Sequence, residues 1–262
     1  MPSAFYVSDG GRFVSSELTR GPWDEGSQHA GPPAALIARE LERLPDAEGA
    51  TDWQIGRITY EILRPVPIEP LMVEARVLRP GRSVQHLSAS LVGRAGELVR
   101  ASAWRVARQA LELPAGLDAE EPPPPPAAAE ERPFFPTGHE VGYHTAMEYR
   151  FVAGSFLQPG PATVWMRMRT PLVAGEEPTP IQRVMVAADS GNGVSATLDW
   201  SRFLFINVDL TVHLHRMPVT EWVCLDAVTI PQASGLGLSD TALHDERGSI
   251  GRALQTLLVR ER

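Results

Sequence analysis

The stretch INVDLTVHLHR, residues 206–216, alternates along its length. Ile206, Val208, Leu210, Val212 and Leu214 fall on one side, and Asn207, Asp209, Thr211, His213 and His215 on the other. Strict period-two alternation predicts a strand buried on one face only. GRITYEILR, residues 56–64, repeats the pattern with Ile58, Tyr60 and Ile62 inward. Further strands are predicted at 71–79, 83–93 and 97–109, and again at 222–230, 235–244 and 249–260. Two stretches carry helical periodicity instead. In PPAALIARELERL, Leu36, Ile37, Leu41 and Leu44 recur at helical spacing behind two prolines, whose missing N–H groups are harmless in a first turn. TPIQRVMVAAD, residues 179–189, is nearly all apolar after Arg183, which predicts a helix buried on most sides. The residues Ser190–Gly193 that follow are turn formers and helix breakers.

These elements occur twice. Shifting the chain by 152 positions lays ITYEILRPVPIEPLMVEARVL over LTVHLHRMPVTEWVCLDAVTI without a gap. Thr59, Arg64, Glu69, Ala75, Leu91, Gly96, Arg100, Ala101 and Arg108 each meet an identical residue. Gly96 and Gly248 take the same place in the tight turns RAGE and ERGS. Between the copies stands DAEEPPPPPAAAEERPFFP, whose five consecutive prolines favour an extended, semi-rigid linker. The expected division is residues 1–117, a linker at 118–136, and 137–262, each half being one helix followed by antiparallel strands.

Composition narrows the function. The net charge of −8 disfavours nucleic acid and anionic membranes as partners. No run approaches the roughly 18 apolar residues of a membrane span, and the opening MPSAFYVSDGGRF lacks a signal-peptide pattern. The single cysteine, Cys224, cannot form an internal disulfide and sits in the apolar run EWVCLDAV, as a core residue would. A cytoplasmic protein is expected.

A helix set in a long antiparallel sheet, present twice, resembles the double hotdog fold, an α+β architecture in which two helix-wrapped sheets form one pseudo-dimer. The sequence looks specifically like the TesB-type acyl-CoA thioesterases. The resemblance rests on QHAGPPAALIARELE, on YEILRPVPIEPLMVEARVLRPGRSVQHLSASL, on AADSGNG, and on NVDLTVHLHR with GRALQTLLVR. It implies hydrolysis of an acyl-CoA to a free acid and CoA, with no cofactor other than the CoA of the substrate, and leaves homo-oligomer formation open.

Such chemistry needs a base for water rather than a strong nucleophile, because a thiolate leaves readily. No G-x-S-x-G elbow offers a serine alternative. The resemblance places the base at Asp189 and its partners at Asn207, where the family carries Thr, and Gln255. An acid closing a helix is otherwise poorly placed against the helix dipole. The repeat partners of these three are Ile37, Ile55 and Ala103, which predicts one working site per chain. Gly31, in HAGPP, is either an amide donor to the thioester oxygen at a helix N-terminus or simply a turn glycine. His213 and His215, with Asp209, have a spacing open to a metal, but the family needs none. His29 and His144 read as packing or hydrogen-bonding residues. The arginines of RPGRSVQH and RVARQ either meet CoA phosphates or are solvated. Two other functions remain in view. An enoyl-CoA hydratase is disfavoured because ADSGNG brings no histidine to Asp189. A non-catalytic acyl-CoA binding protein is left open by Asn207.

Overall fold

The structure is a computed structural model, and it describes residues 3–45, 52–114 and 121–262. The first half contains strands β1 (Tyr6–Asp9) and β2 (Arg12–Ser15), helix α1 (Gly31–Glu42), and strands β3 (Trp53–Ile62), β4 (Pro70–Arg79), β5 (Val84–Gly93) and β6 (Gly96–Ala107). The second half opens with a short turn of helix α2 (Tyr143–Ala146), strands β7 (Met147–Ser155) and β8 (Gln158–Met168), helix α3 (Pro180–Ala188) and the one-turn helix α4 (Gly191–Val194). Strands β9 (Phe203–Asn207), β10 (Asp209–Leu214), β11 (Val223–Pro231), β12 (Leu236–Asp245) and β13 (Gly248–Glu261) complete it. Among the described residues no helix is long and apolar enough to cross a membrane.

All strands join one antiparallel sheet in the order β1-β2-β4-β5-β6-β3-β10-β13-β12-β11-β8-β7, with β9 beside β13. The two halves meet where β3 pairs β10. There Thr59 lies opposite Thr211, its own repeat partner, with the two hydroxyls 3.2 Å apart. The pseudo-twofold axis of the duplicated chain passes between them. This is the double hotdog arrangement, and the predicted later strands agree with it to within one or two residues.

Both long helices lie on the inner face of the sheet and run antiparallel to each other. Their opposite ends touch twice: Thr179 Oγ1, at the start of α3, donates to Glu42 Oε2 at the end of α1, 2.7 Å away. At the far end the start of α1 packs on Val186 near the close of α3. Leu36, Ile37 and Leu41 of one helix and Val184, Met185 and Val186 of the other are fully buried in one core with Ile58, Tyr60, Leu210 and Val212 from the central strands. Removing each of these large side chains from water is worth roughly 1.5–3 kcal/mol.

Two hairpins precede the helices and escaped the periodicity reading. β1 and β2 are only four residues each, turned by Gly10 and Gly11, which both have positive φ as a primed hairpin turn requires. β7–β8 is longer, but Pro159 and Pro161 interrupt its pattern. The described part of the proline-rich segment is packed against this hairpin. Pro124 accepts the indole N–H of Trp165 at 2.7 Å, and Glu130 exchanges backbone hydrogen bonds with Phe151, covering the exposed edge of β7. Residues 118–120 of that segment lie outside the described residues.

The alternation of 206–216 does not persist. Leu210, Val212 and Leu214 face inward, but Ile206 and Val208 are 41% and 44% exposed. Asn207 pairs with Leu257 and Thr211 with Leu254, so four residues advance on one strand against three on β13. This β-bulge exchanges the two faces. Asp209 closes it: its carboxylate accepts the Thr256 backbone N–H at 2.5 Å and the Thr256 hydroxyl at 3.3 Å. Asn207 is thereby turned into the molecule, away from His213 and His215, which stay on the exposed face.

Two expectations test this framework. Gly31→Ala would drive a methyl into the Val186 carbonyl of the neighbouring helix, and should lower stability by about 1–3 kcal/mol in urea unfolding, as overpacking does. Asp209→Ala removes the acceptor of a ladder N–H. Amide exchange at Thr256 should accelerate by about 5- to 150-fold, the equivalent of about 1–3 kcal/mol for a buried donor left without a partner.

Candidate active site

Asp189 is the C-cap of α3 (φ −65°, ψ −16°). The chain does not loop out after it, as the turn-forming residues suggested, but winds directly into α4. Gly191 makes that possible. A side chain there would collide with the Thr241 hydroxyl and press on Ser239 Oγ and Gln255 Oε1, so only glycine lets the turn settle on this polar floor of β12 and β13.

The antiparallel helix pair explains the acid. Asp189 stands at the unfavourable end of its own helix, but beside the N-terminus of α1, where a dipole of opposite sense favours negative charge. Its side chain is only 5% exposed. Oδ1 accepts from Asn207 Nδ2 at 2.8 Å and from Gln255 Nε2 at 3.2 Å. Gln255 Nε2 also lies 3.2 Å from the Asp189 backbone oxygen, and its Oε1 accepts the Asn192 N–H at 3.1 Å, which fixes the orientation of the amide. Both amides therefore hold the carboxylate itself.

The fourth member comes from the other half of the chain. His29 Nδ1 is 3.0 Å from Asp189 Oδ2. The Gly31 N–H also points at this nitrogen, from 3.1 Å. One ring nitrogen cannot accept from Gly31 and donate to Asp189 together. We assign the proton to Nδ1, donating to the carboxylate, because a charge-assisted bond is the stronger of the two. Burial lowers the pKa of His29, the nearby Asp189 charge opposing it more weakly, so the ring is neutral at pH 7 with a lone pair on Nε2. The ring is held by Tyr143, stacked 3.7 Å away at 8°, whose hydroxyl is anchored on the Val186 carbonyl and Ser190 Oγ.

The structure thus brings Asp189, Asn207 and Gln255 together. It places Gly31 beside them, with its N–H directed at His29. The glycine is required by the close approach of Val186. His29 was legible only as a polar residue before a helix; nothing in linear spacing connects it to position 189. Its arrival also removes the ground on which a hydratase was set aside, namely that no histidine accompanies Asp189. Under the 152-residue repeat, His29 corresponds to Ile181, and the counterparts Ile37, Ile55, Ala103 and Ile181 are all buried apolar residues. The polar set exists at one end of the helix pair only.

Other candidates fall elsewhere. Arg105 is buried, bonded to Gln85 and to the Leu44 and Pro45 carbonyls just beyond α1. Asp209 is engaged by Thr256, and among the described residues no group of three His, Cys, Asp or Glu side chains could hold a metal ion. Cys224 is fully buried, and burial pushes its thiol pKa up, away from reactivity.

Two small spaces flank the site. A recess of about 10 Å³ reaches Asp189 between Ala34, Tyr60, Ile62 and Leu210. A second space, a chamber of about 20 Å³, is bordered by His29, Ser190, Tyr143 and Gly193 and by the rings of Trp23, Phe134, Phe135, Tyr149 and Phe156; it has room for about one water molecule, with His29 and Ser190 as its polar side. The chamber shares Pro22, Trp23, Phe135, Phe156 and Gly193 with the lining of a neighbouring cleft of about 790 Å³.

The comparisons with known proteins agree with this picture. The family model described as the acyl-CoA thioesterase N-terminal domain matches residues 19–106, and that of the acyl-CoA thioesterase C-terminal domain matches residues 119–259. No curated protein matches the sequence. Among solved structures, a candidate thioesterase II from Thermobifida fusca superposes with a TM-score of 0.76 at 18% identity, covering 98% of this chain and 96% of its own. A hot dog fold protein of Alicyclobacillus acidocaldarius gives 0.70 at 17% (98% and 95% covered). The acyl-CoA thioesterase II TesB2 of Mycobacterium marinum gives 0.67 at 16% (94% and 96%). At these identities the structures speak for the fold, while the two domain models, in order and over most of the chain, show that this protein belongs to the acyl-CoA thioesterase family.

Proposed function

We propose that the protein hydrolyses acyl-CoA thioesters by water activated at the Asp189–His29 pair. The observation that carries this reading is the buried carboxylate held by three donors, His29, Asn207 and Gln255, beside a chamber large enough for water. Asn207 and Gln255 fix the carboxylate on one oxygen. The other oxygen orients His29 so that Nε2 keeps its lone pair, and the ring borders the chamber. As water attacks the thioester carbon, His29 takes its proton and Asp189 stabilises the imidazolium that forms. Collapse of the tetrahedral intermediate breaks the carbon–sulfur bond, and the same proton passes to the departing thiolate. The products are a carboxylic acid and CoA. Asn207 serves here in the position of the family's Thr by donating to Asp189. No cofactor enters this scheme; CoA arrives with the substrate.

Asp189→Asn keeps the shape of the site but removes the charge that holds the His29 proton. Release of free thiol from acyl-CoAs should fall about 10²- to 10⁴-fold in kcat with little change in KM. Thiol release by Asp189→Asn at the unmodified rate would reject the mechanism, and acyl-CoA binding with no turnover by the unmodified protein would favour a binding protein instead.

The pH dependence follows from His29. Its neutral form is the active one, so kcat/KM should be flat at neutral pH and decline on the acid side. Because burial lowers the imidazole pKa from 6.5, the midpoint should fall below that value. In His29→Gln this acid limb should disappear along with most of the rate. An acid limb of the same midpoint in His29→Gln would show that another group titrates.

A further inference from the structure

The cleft outside the chamber has an aromatic wall. Trp23 stacks on Trp200 with centroids 4.4 Å apart and on Phe135 at 5.4 Å, and Phe135 faces Trp200 at 5.7 Å, all within 27° of parallel. These rings come from the loop before α1, the segment after the prolines and the loop before β9. Trp23 is 50% exposed although it is among the largest apolar side chains of the molecule. Open aromatic surface of this kind, in a concave site within the roughly 300–1,000 Å³ of small-molecule pockets, points to a ligand.

Position and charge say which part of a ligand belongs there. Trp23, Phe135, Phe156 and Gly193 border both the cleft and the chamber at His29, so the cleft adjoins the place where the thioester would react. Among the described residues lining the cleft, the charged side chains are Asp199 and Arg262. One acid and one base do not attract the phosphates of CoA, which call for several cations. The acyl side of the thioester is the part that suits an apolar wall. Stacked rings further distinguish planar π-systems from saturated groups of the same size, through the ring quadrupole.

We propose that this cleft is the acyl subsite and that it selects acyl groups carrying a planar aromatic ring, stacked on the wall formed by Trp23, Phe135 and Trp200. The proposal rests on the thioesterase reading and adds a substrate class to it. The test compares phenylacetyl-CoA with cyclohexylacetyl-CoA, nearly equal in size, and with octanoyl-CoA, by thiol release. The phenyl ester should be preferred in kcat/KM over the cyclohexyl ester by about 2- to 12-fold, the range that aromatic stacking supports, and over the octanoyl ester as well. Trp23→Leu should bring the phenyl-to-cyclohexyl ratio to about one. If that variant does not fold, Trp200→Leu serves the same purpose. Equal rates on the two ring esters, a preference for octanoyl-CoA, or a phenyl preference that survives the substitution would overturn the proposal while leaving thioester hydrolysis standing. Absence of thiol release from all three esters would overturn the thioesterase reading and the subsite with it.

Discussion

The antiparallel contact of α1 and α3 is the constraint from which the rest follows. Each helix ends beside the other's beginning, so an acid that would be misplaced at the close of an isolated helix meets the positive end of a partner. The arrangement is used twice. At one end Glu42 is bound by Thr179 at the start of α3, and its pKa is raised, burial outweighing those hydrogen bonds. At the other end Asp189 faces Gly31 and His29 at the start of α1. The close approach depends on a glycine at the crossing and on an apolar interface between the helices, both of which are sequence properties of the segment HAGPPAALIARELE and its counterpart.

Much of this was legible in the chain. Alternation located the strands from β3 to β6 and from β10 to β13, and the 152-residue repeat located their partners, because side chains buried on one face must recur every second residue. Asp189, Asn207 and Gln255 were reached through resemblance rather than periodicity, and strict alternation would have placed Asn207 outside with His213. The bulge that turns it inward is held by a carboxylate on a backbone N–H, Asp209 on Thr256, a tertiary contact with no period of its own. His29 was hidden for a related reason. It lies 160 positions from Asp189 (189 − 29), and only the crossing of two helices from different halves brings it there. The β1–β2 hairpin was missed because four-residue strands are too brief to show a pattern, and β7–β8 because Pro159 and Pro161 break its alternation.

The constellation proposed to act on the thioester is shared unequally. Three of its members belong to the later copy and one to the earlier, so neither half contains the site by itself. Tyr143 and Ser190 extend the sharing: the tyrosine that supports the His29 ring is tied to the backbone of α3 and to the residue after Asp189. The position of the imidazole is thus tied, through Tyr143, to the same helix that carries the carboxylate.

The Thr59–Thr211 axis has a consequence for how the load is divided. Twofold geometry offers two equivalent ends, and a carboxylate stands at each, Glu42 at one and Asp189 at the other, in different surroundings. Here isoleucines and an alanine fill one end, where His, Asp, Asn and Gln occupy the other. The end without the histidine keeps one carboxylate, Glu42, bound by Thr179 and Gln182 beside a recess of about 220 Å³ that Ile55 and Ile181 border, and it carries no counterpart of the amides that grip Asp189.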